Sequence, residues 1–185
     1  AIAPFEAVKW LRDKSKKGYQ KITYSRWIVK KDLHLVAIVF KESFYEQNSF
    51  TKELVDAYKE IFKSLSPEII ENSMKIQDFL AKEFSKEDTD NDYEYLISAL
   101  FSEMCINKGF DGVFYPSVRV GGMGFNIAIT PQATHNLRLY AAGESSVYKL
   151  YDHTVIGNDS VLKYKRNRSK IKFNRIDSHR NECLN

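Results

Sequence analysis

The sequence predicts an α+β fold in which a block of helices is inserted between two groups of strands. β-Branched and aromatic residues dominate 21–40 and 112–129, and the segment 137–151 also alternates like a strand. Between them, apolar residues recur at helical spacing through 49–108. Strands and helices thus occur in separate runs and not in a regular β-α-β repeat. With 185 residues, 43% of them hydrophobic, the chain can bury a core, which excludes a disordered or collagen-like protein.

The N-terminal part is predicted to form one short helix and two strands. Pro4 is favoured in the first turn of a helix, where its missing N–H group is not needed, and apolar residues follow at helical spacing up to Leu11. Residues 21–30 are rich in strand-forming residues. The run 34–40 is apolar throughout, which predicts a strand that is buried on both faces.

The helical insertion at 49–108 is predicted to contain three helices. Ser49 is expected to cap the first, Pro67 to begin the second, and Gly109 to end the third. The insertion is rich in aromatic residues: Phe50, Tyr58, Phe62, Phe79, Phe84, Tyr93, Tyr95 and Phe101. These residues exceed what one core needs, so the insertion could also cover a pocket, form the interface of a homodimer or bind a partner protein.

Charge is unevenly distributed, although the net charge is only +4. Residues 163–175 include seven basic residues and no acidic one, a composition that can neutralise phosphates. We interpret 161–185 as a solvated basic tail that follows a single domain over 1–160. On this interpretation nucleic acid is not an expected partner, and a tail that binds nucleic acid is the alternative.

Residues that could bind a metal or cross-link the chain are sparse. Neither Cys105 nor Cys183 has a close cysteine partner, and the four histidines show no paired spacing. We therefore expect free thiols in a reducing cytoplasm and no metal. No apolar run approaches the ~18 residues of a membrane span, and the first residues do not resemble a signal peptide, so we expect a cytoplasmic protein without membrane association.

The densest group of chemically useful side chains lies within 112–129. A predicted strand leads to Tyr115, Ser117 and Arg119, a glycine turn follows, and Asn126 begins the next strand. If the first strand runs straight on, Tyr115, Ser117 and Arg119 share one face. An aromatic ring, a hydroxyl and a guanidinium suit an anionic or nucleotide ligand, because arginine binds phosphate through several donors. A hairpin with a capping serine and a surface arginine is the alternative.

The same segment resembles the RES domain family of bacteria, over about residues 4–140. The similarity rests on Phe110-Asp111-Gly112-Val113-Phe114-Tyr115-Pro116-Ser117-Val118-Arg119, on Gly124-Phe125-Asn126-Ile127-Ala128-Ile129 with Pro131, and on Ile22-Thr23-Tyr24-Ser25-Arg26-Trp27-Ile28-Val29-Lys30-Lys31-Asp32-Leu33. The Tyr-Pro-Ser part is its most specific motif. The resemblance implies an ADP-ribosyltransferase-like fold with a mixed sheet. It also implies a toxin that consumes NAD, as a glycohydrolase or a phosphorylase, and that an antitoxin protein silences.

The resemblance also implies roles for individual residues. Ser117 matches the family's active-site serine, and Tyr115, Arg119 and Asn126 are expected to line a pocket in which NAD is the substrate. A serine in such a pocket is expected to contact nicotinamide or ribose, because no histidine is placed to activate it as a nucleophile.

The family's catalytic glutamate has no direct counterpart here. The best alignment puts Trp10 at its position, and Glu6, about one helical turn away, is the nearest carboxylate that could stabilise an oxocarbenium-like state. The family's active-site arginine and tyrosine would lie before Ala1. Two interpretations follow: an NAD-cleaving enzyme that uses Glu6 and Ser117, or a RES-like module that binds a nucleotide or a protein without turnover.

Overall fold

Two compact units make up the chain, where the sequence predicted one domain over 1–160. The terminal unit comprises Ala1–Asp32 and His135–Asn185, and the central unit comprises Leu33–Thr134. Both contain helices and strands, which confirms the predicted α+β class. The residues that this computed structural model describes are 3–45, 47–86, 92–167 and 170–176.

Seven strands and five α-helices are formed by the described residues. In chain order they are α1 (Ala3–Ala7), β1 (Lys17–Val29), β2 (Leu35–Ala37), α2 (Glu42–Tyr45), α3 (Ser49–Phe62), α4 (Pro67–Glu83), α5 (Leu96–Asn107), β3 (Gly112–Pro116), β4 (Phe125–Ile129), β5 (Leu137–Leu150), β6 (His153–Asn167) and β7 (Lys170–Ile176). Short 3-10 helices occur at Lys9–Arg12, Asp92–Tyr95, Val118–Val120 and Ala133–Asn136.

The terminal unit is an antiparallel sheet in the order β1-β5-β6-β7. The predicted first helix is split into α1 and the following 3-10 helix, which together place Val8 and Leu11 against Val147 on the sheet. Trp10 packs beside them, and its indole N–H donates to the side-chain oxygen of Gln20 over 2.7 Å. This small cluster is the hydrophobic core of the terminal unit.

Residues 161–167 and 170–176 correct the prediction of a solvated tail. They form the end of β6 and the whole of β7, and the two strands pair Val161 with Ile176 and Asn167 with Lys170. The physical reason is visible in the sequence, where apolar residues alternate with basic ones, as in a strand. Residues 177–185, including Cys183, lie outside the described residues.

The central unit surrounds a mixed sheet in the order β2-β3-β4, with β2 parallel and β4 antiparallel to β3. Helices α2 to α5 form the connection between β2 and β3. Because successive side chains of β3 point to opposite faces, Val113 packs on the side of α4 and α5, while Phe114 packs with Val55 of α3. The predicted strand 34–40 is shorter than expected, and pairing ends at Ala37.

Candidate functional site

Two of the predicted site residues meet across the small sheet. Tyr115 of β3 stands directly opposite Asn126 of β4, and Val113 stands opposite Ala128 in the next row on the same face. Directly opposite residues of antiparallel strands have their Cβ atoms about 4.5–5.5 Å apart on one face. The antiparallel register therefore places the Tyr115 ring and the Asn126 amide side by side.

A cavity of about 190 Å³ lies beside this face. Its aromatic walls are Phe84, Tyr95 and Tyr115, and the ring centroids of Phe84 and Tyr115 are 5.4 Å apart. Val113 and Ala128 form the sheet side of the cavity. An apolar, largely aromatic cavity with a few polar groups is typical of a site for a planar ring.

The polar groups of the cavity come from the ends of α4 and α5. Glu83 and Lys86 form an ion pair of 2.7 Å, in which the Glu83 side chain is 13% exposed and the Lys86 side chain 36% exposed. The hydroxyls of Ser98 and Ser102 donate to the carbonyls of Tyr95 and Ser98, over 2.9 and 2.7 Å. Each serine oxygen can therefore still accept a hydrogen bond from a ligand.

Ser117 is fully buried in the loop that connects β3 and β4. Its N–H donates to the carbonyl of Gly124 over 2.7 Å, and its carbonyl accepts from the N–H of Gly122 over 2.9 Å. The left-handed backbone of Gly122, with φ of 83°, allows this closure, and a Cβ there would lie 2.6 Å from the Phe44 ring. The Ser117 hydroxyl thus has no open path to a ligand in this conformation.

Arg119 does not continue the face of Tyr115. Strand β3 ends at Pro116, and Val118–Val120 turns as a 3-10 helix in which Gly121 donates to the carbonyl of Val118. The condition for Tyr115, Ser117 and Arg119 to share one face, a straight strand, is therefore not met. The loop hydrogen bonds bend the chain away from the strand direction directly after Pro116.

Asn48 connects the insertion to the same loop. Its side-chain oxygen accepts from the N–H groups of Phe50 and Thr51 and so caps α3, one residue before the predicted cap at Ser49. Its amide nitrogen donates to the carbonyl of Met123 over 3.3 Å. One side chain therefore fixes both the start of α3 and the position of the loop.

Glu6 and the other predicted site residues belong to different units. Glu6 lies in α1 of the terminal unit, and Trp10 lies in the 3-10 helix that follows. Tyr115, Ser117 and Asn126 are all in the central unit. The structure thus groups the residues of the Tyr-Pro-Ser segment around one small sheet.

Other chemical groups of the described residues are less suited to catalysis. Burial raises the pKa of the Cys105 thiol, which keeps it protonated and poorly nucleophilic near neutral pH. Over the described ranges there is no group of three or more His, Cys, Asp or Glu side chains that could hold a metal ion. None of the helices seen there combines the length and the apolar character needed to cross a bilayer.

Sequence reasoning missed the walls of the cavity. Phe84 and Tyr95 belong to the aromatic excess of the insertion, and the sequence indicates no role for Glu83 or Lys86. Helical periodicity shows which residues share a face but not which distant strand that face meets. The aromatic excess was the one available signal.

Comparison with known proteins was made for the whole chain. A scan against protein-family models, a search of curated proteins and a search of solved structures each found no match. The site is therefore defined by its own geometry, as a small aromatic cavity with a polar edge at the end of a three-stranded sheet.

Proposed function

We propose that the chain is a RES-like domain that binds NAD and cleaves the bond between nicotinamide and ribose. The observation that carries the proposal is the Tyr115–Asn126 pair beside the aromatic cavity. The pair supports the proposal because Tyr115 belongs to the motif of the family resemblance and also forms a wall of the aromatic cavity. As a toxin, the protein would have an antitoxin protein as its partner.

The cavity limits which part of NAD could enter. Its volume, about 190 Å³, is below the range of about 300–1,000 Å³ that is usual for whole small-molecule ligands, so one planar ring would enter and the remainder would lie outside. Phe84 and Tyr115 would pack on the ring. The Ser98 and Ser102 oxygens, which line the cavity, would accept hydrogen bonds from the N–H groups of a carboxamide.

Cleavage requires a developing positive charge to be stabilised. When the C–N bond breaks, its electron pair leaves with nicotinamide, and the ribose oxocarbenium ion is captured by an oxygen of water or phosphate. A carboxylate near the ribose lowers the energy of this state. Glu83 lines the cavity in the same unit as Tyr115, so it is the candidate carboxylate for this role. Glu6, the candidate from the family resemblance, lies in the terminal unit.

Ser117 takes a positioning role in this proposal. Because it is fully buried, it acts through the loop that it anchors and not by attack on NAD. A binding module without turnover is the second candidate. Trp10 favours this candidate because it occupies the position of the family's catalytic glutamate in the best alignment. Its indole N–H donates a hydrogen bond to Gln20.

The test is nicotinamide release from NAD by the purified protein, with and without phosphate, followed by chromatography. We expect release to fall about 100-fold in Glu83→Gln. A fall in Glu6→Gln instead would assign the role to the carboxylate that the family resemblance suggests. Tyr115→Ala should weaken NAD binding severalfold, since one aromatic contact contributes about 0.5–1.5 kcal/mol. Tyr148→Ala, an exposed tyrosine of the terminal sheet, is the matched control and should have no effect.

The outcomes separate the two candidates. No release together with a higher melting temperature in NAD would establish the binding module. Neither release nor stabilisation by NAD would refute both. In cells, expression of the active protein should lower NAD, and Glu83→Gln should restore it.

A further inference from the structure

One end of the terminal sheet collects segments that are far apart in the sequence. Strands β1, β5 and β6 alternate in direction, so the end of β1, the start of β5 and the end of β6 lie at the same end. The register pairs Val29 with Leu137 there, and Ala141 with Lys163. Strand β7 continues this end through the pair Asn167–Lys170.

The residues brought together at this end are basic. We define the basic end as residues 26–31, 137–141, 163–167 and 170–175. Its ten basic residues are Arg26, Lys30, Lys31, Arg138, Lys163, Lys165, Arg166, Lys170, Lys172 and Arg175, and these ranges contain no Asp or Glu. Lys165 and Lys172 occupy directly opposite register positions, where two like charges destabilise a sheet.

Tyr140 lies between two of these cations. The guanidinium carbon of Arg26 is 5.6 Å from the centre of the Tyr140 ring, and Nζ of Lys163 is 5.0 Å from it. Both residues pair with Ala141, from opposite sides, so their backbones are about 10 Å apart, or two strand spacings. In the described part of the chain neither cation has an ion-pair partner, so the ring orders two uncompensated charges.

We propose that the basic end binds the phosphate backbone of single-stranded nucleic acid. Positive charge spread over about 15 Å and four strands requires a ligand that has several anionic groups along its length, which a single phosphate lacks. Cations with an aromatic ring among them are the combination found in grooves that follow a single strand. The folding of 163–167 and 170–175 into the sheet is the reason for departing from the expectation that nucleic acid is not a partner.

The test measures binding of a fluorescein-labelled dT20 oligonucleotide by anisotropy at 50, 100 and 200 mM NaCl. We expect the affinity of the wild-type protein to fall at least about tenfold over this range. The double variant Arg26→Glu/Lys163→Glu should bind more than about tenfold more weakly at 50 mM, and its slope of log affinity against log salt should be shallower by about 1.4, or 0.7 for each lost phosphate contact.

The matched control is Lys14→Glu/Lys17→Glu, which changes the net charge equally at the opposite end of β1. Its affinity should stay within about twofold of wild type if local phosphate contacts dominate. Lys165→Glu alters an exposed side chain and should make the slope shallower by about 0.7. If circular dichroism shows that the Arg26→Glu/Lys163→Glu variant is unfolded, the Lys165→Glu variant alone tests the proposal.

Three results would overturn the proposal. The first is no binding of dT20 at 50 mM NaCl. The second is an equal loss of affinity in the control and the basic-end variants, which would show an effect of net charge alone. The third is tighter binding to phosphatidylserine vesicles than to dT20 at matched phosphate concentration, which would assign this end to a membrane surface.

Discussion

The two sheets of this protein are stabilised in different ways. β5 of the terminal sheet is 14 residues long and has a long antiparallel neighbour on each side, yet large side chains such as Tyr148 and Leu150 remain more than half exposed. β3 of the central sheet has five residues, four of them buried, with helices on both faces. A long strand can rely on its neighbours in the sheet, whereas a short one depends on packing from distant segments. Substitutions should therefore be tolerated differently in the two units.

The largest difference in stability is expected between alanine substitutions at two glycines, one in each sheet. In Gly112→Ala the new Cβ would lie 2.0 Å from the carbonyl oxygen of Ala128, so β4 would have to move, and the free energy of unfolding should fall by about 3 kcal/mol. In Gly157→Ala of β6 the new Cβ has no atom within 4 Å, so the free energy of unfolding should change by less than about 1 kcal/mol. Urea denaturation measures both values. Equal values would remove the distinction between the sheets.

A second pair of variants compares the two cores directly. Val113 and Val147 are 1% and 0% exposed, and replacing either by alanine removes two methyl groups, which should lower the stability of its unit by about 2 kcal/mol. Amide hydrogen exchange gives the location of the effect. Val113→Ala should accelerate exchange in the central unit and Val147→Ala in the terminal unit. The same acceleration in both units would show that they unfold together.

Thr51 offers a smaller, stabilising change in the central unit. It is fully buried, and its hydroxyl has no hydrogen-bond partner among the described residues. Thr51→Val keeps the shape and removes the unsatisfied group, so the unfolding free energy should rise by about 1 kcal/mol. Thr51→Ser keeps the hydroxyl and should be destabilising. A decrease for Thr51→Val in thermal denaturation would indicate that the hydroxyl has a bonding partner after all.

The smallest change in stability is expected at alkaline pH, from two buried groups of the central unit. Burial raises the pKa of Tyr58 and of Cys105 above the ordinary values of 10.0 and 9.0, so the folded state holds these protons more tightly than the unfolded chain does. Their contribution to stability should therefore be constant below about pH 9 and decline as the pH rises further. Tyr58→Phe combined with Cys105→Ala should flatten this decline in denaturation curves at pH 7, 9 and 10.5. An unchanged decline would contradict the assignment.

Local signals explain the elements that the sequence predicted well. Pro67 begins α4, and Gly109 with its positive φ of 89° follows α5. β4 occupies Phe125–Ile129, where a strand beginning at Asn126 is predicted. Each of these features depends on residues that are neighbours in the chain. The Tyr115-Pro116-Ser117 segment was also recognised as a candidate site from its local composition, and its Tyr115 does line the cavity.

Long-range features were not predictable in the same way. The pairing of Tyr115 with Asn126 follows from a register, and the contribution of Phe84 to the cavity follows from how α4 reaches the sheet. Neither has a signature in a single segment. The end of β6 and the whole of β7 were not predicted for a different reason, because their excess of basic residues is also typical of a solvated tail.

The connection between β2 and β3 has a consequence for the order of folding. Tyr151 and Asp152 join β5 to β6, so that hairpin can form in about 1–10 μs from residues that are adjacent in the chain. Leu35 meets Gly112 only after all of α2 to α5 have been spanned, and this loop-closure entropy must be overcome before the parallel pair gains any contacts. We expect a refolding intermediate in which β5 and β6 are already protected while the pocket between α4, α5 and β3 is still open to solvent.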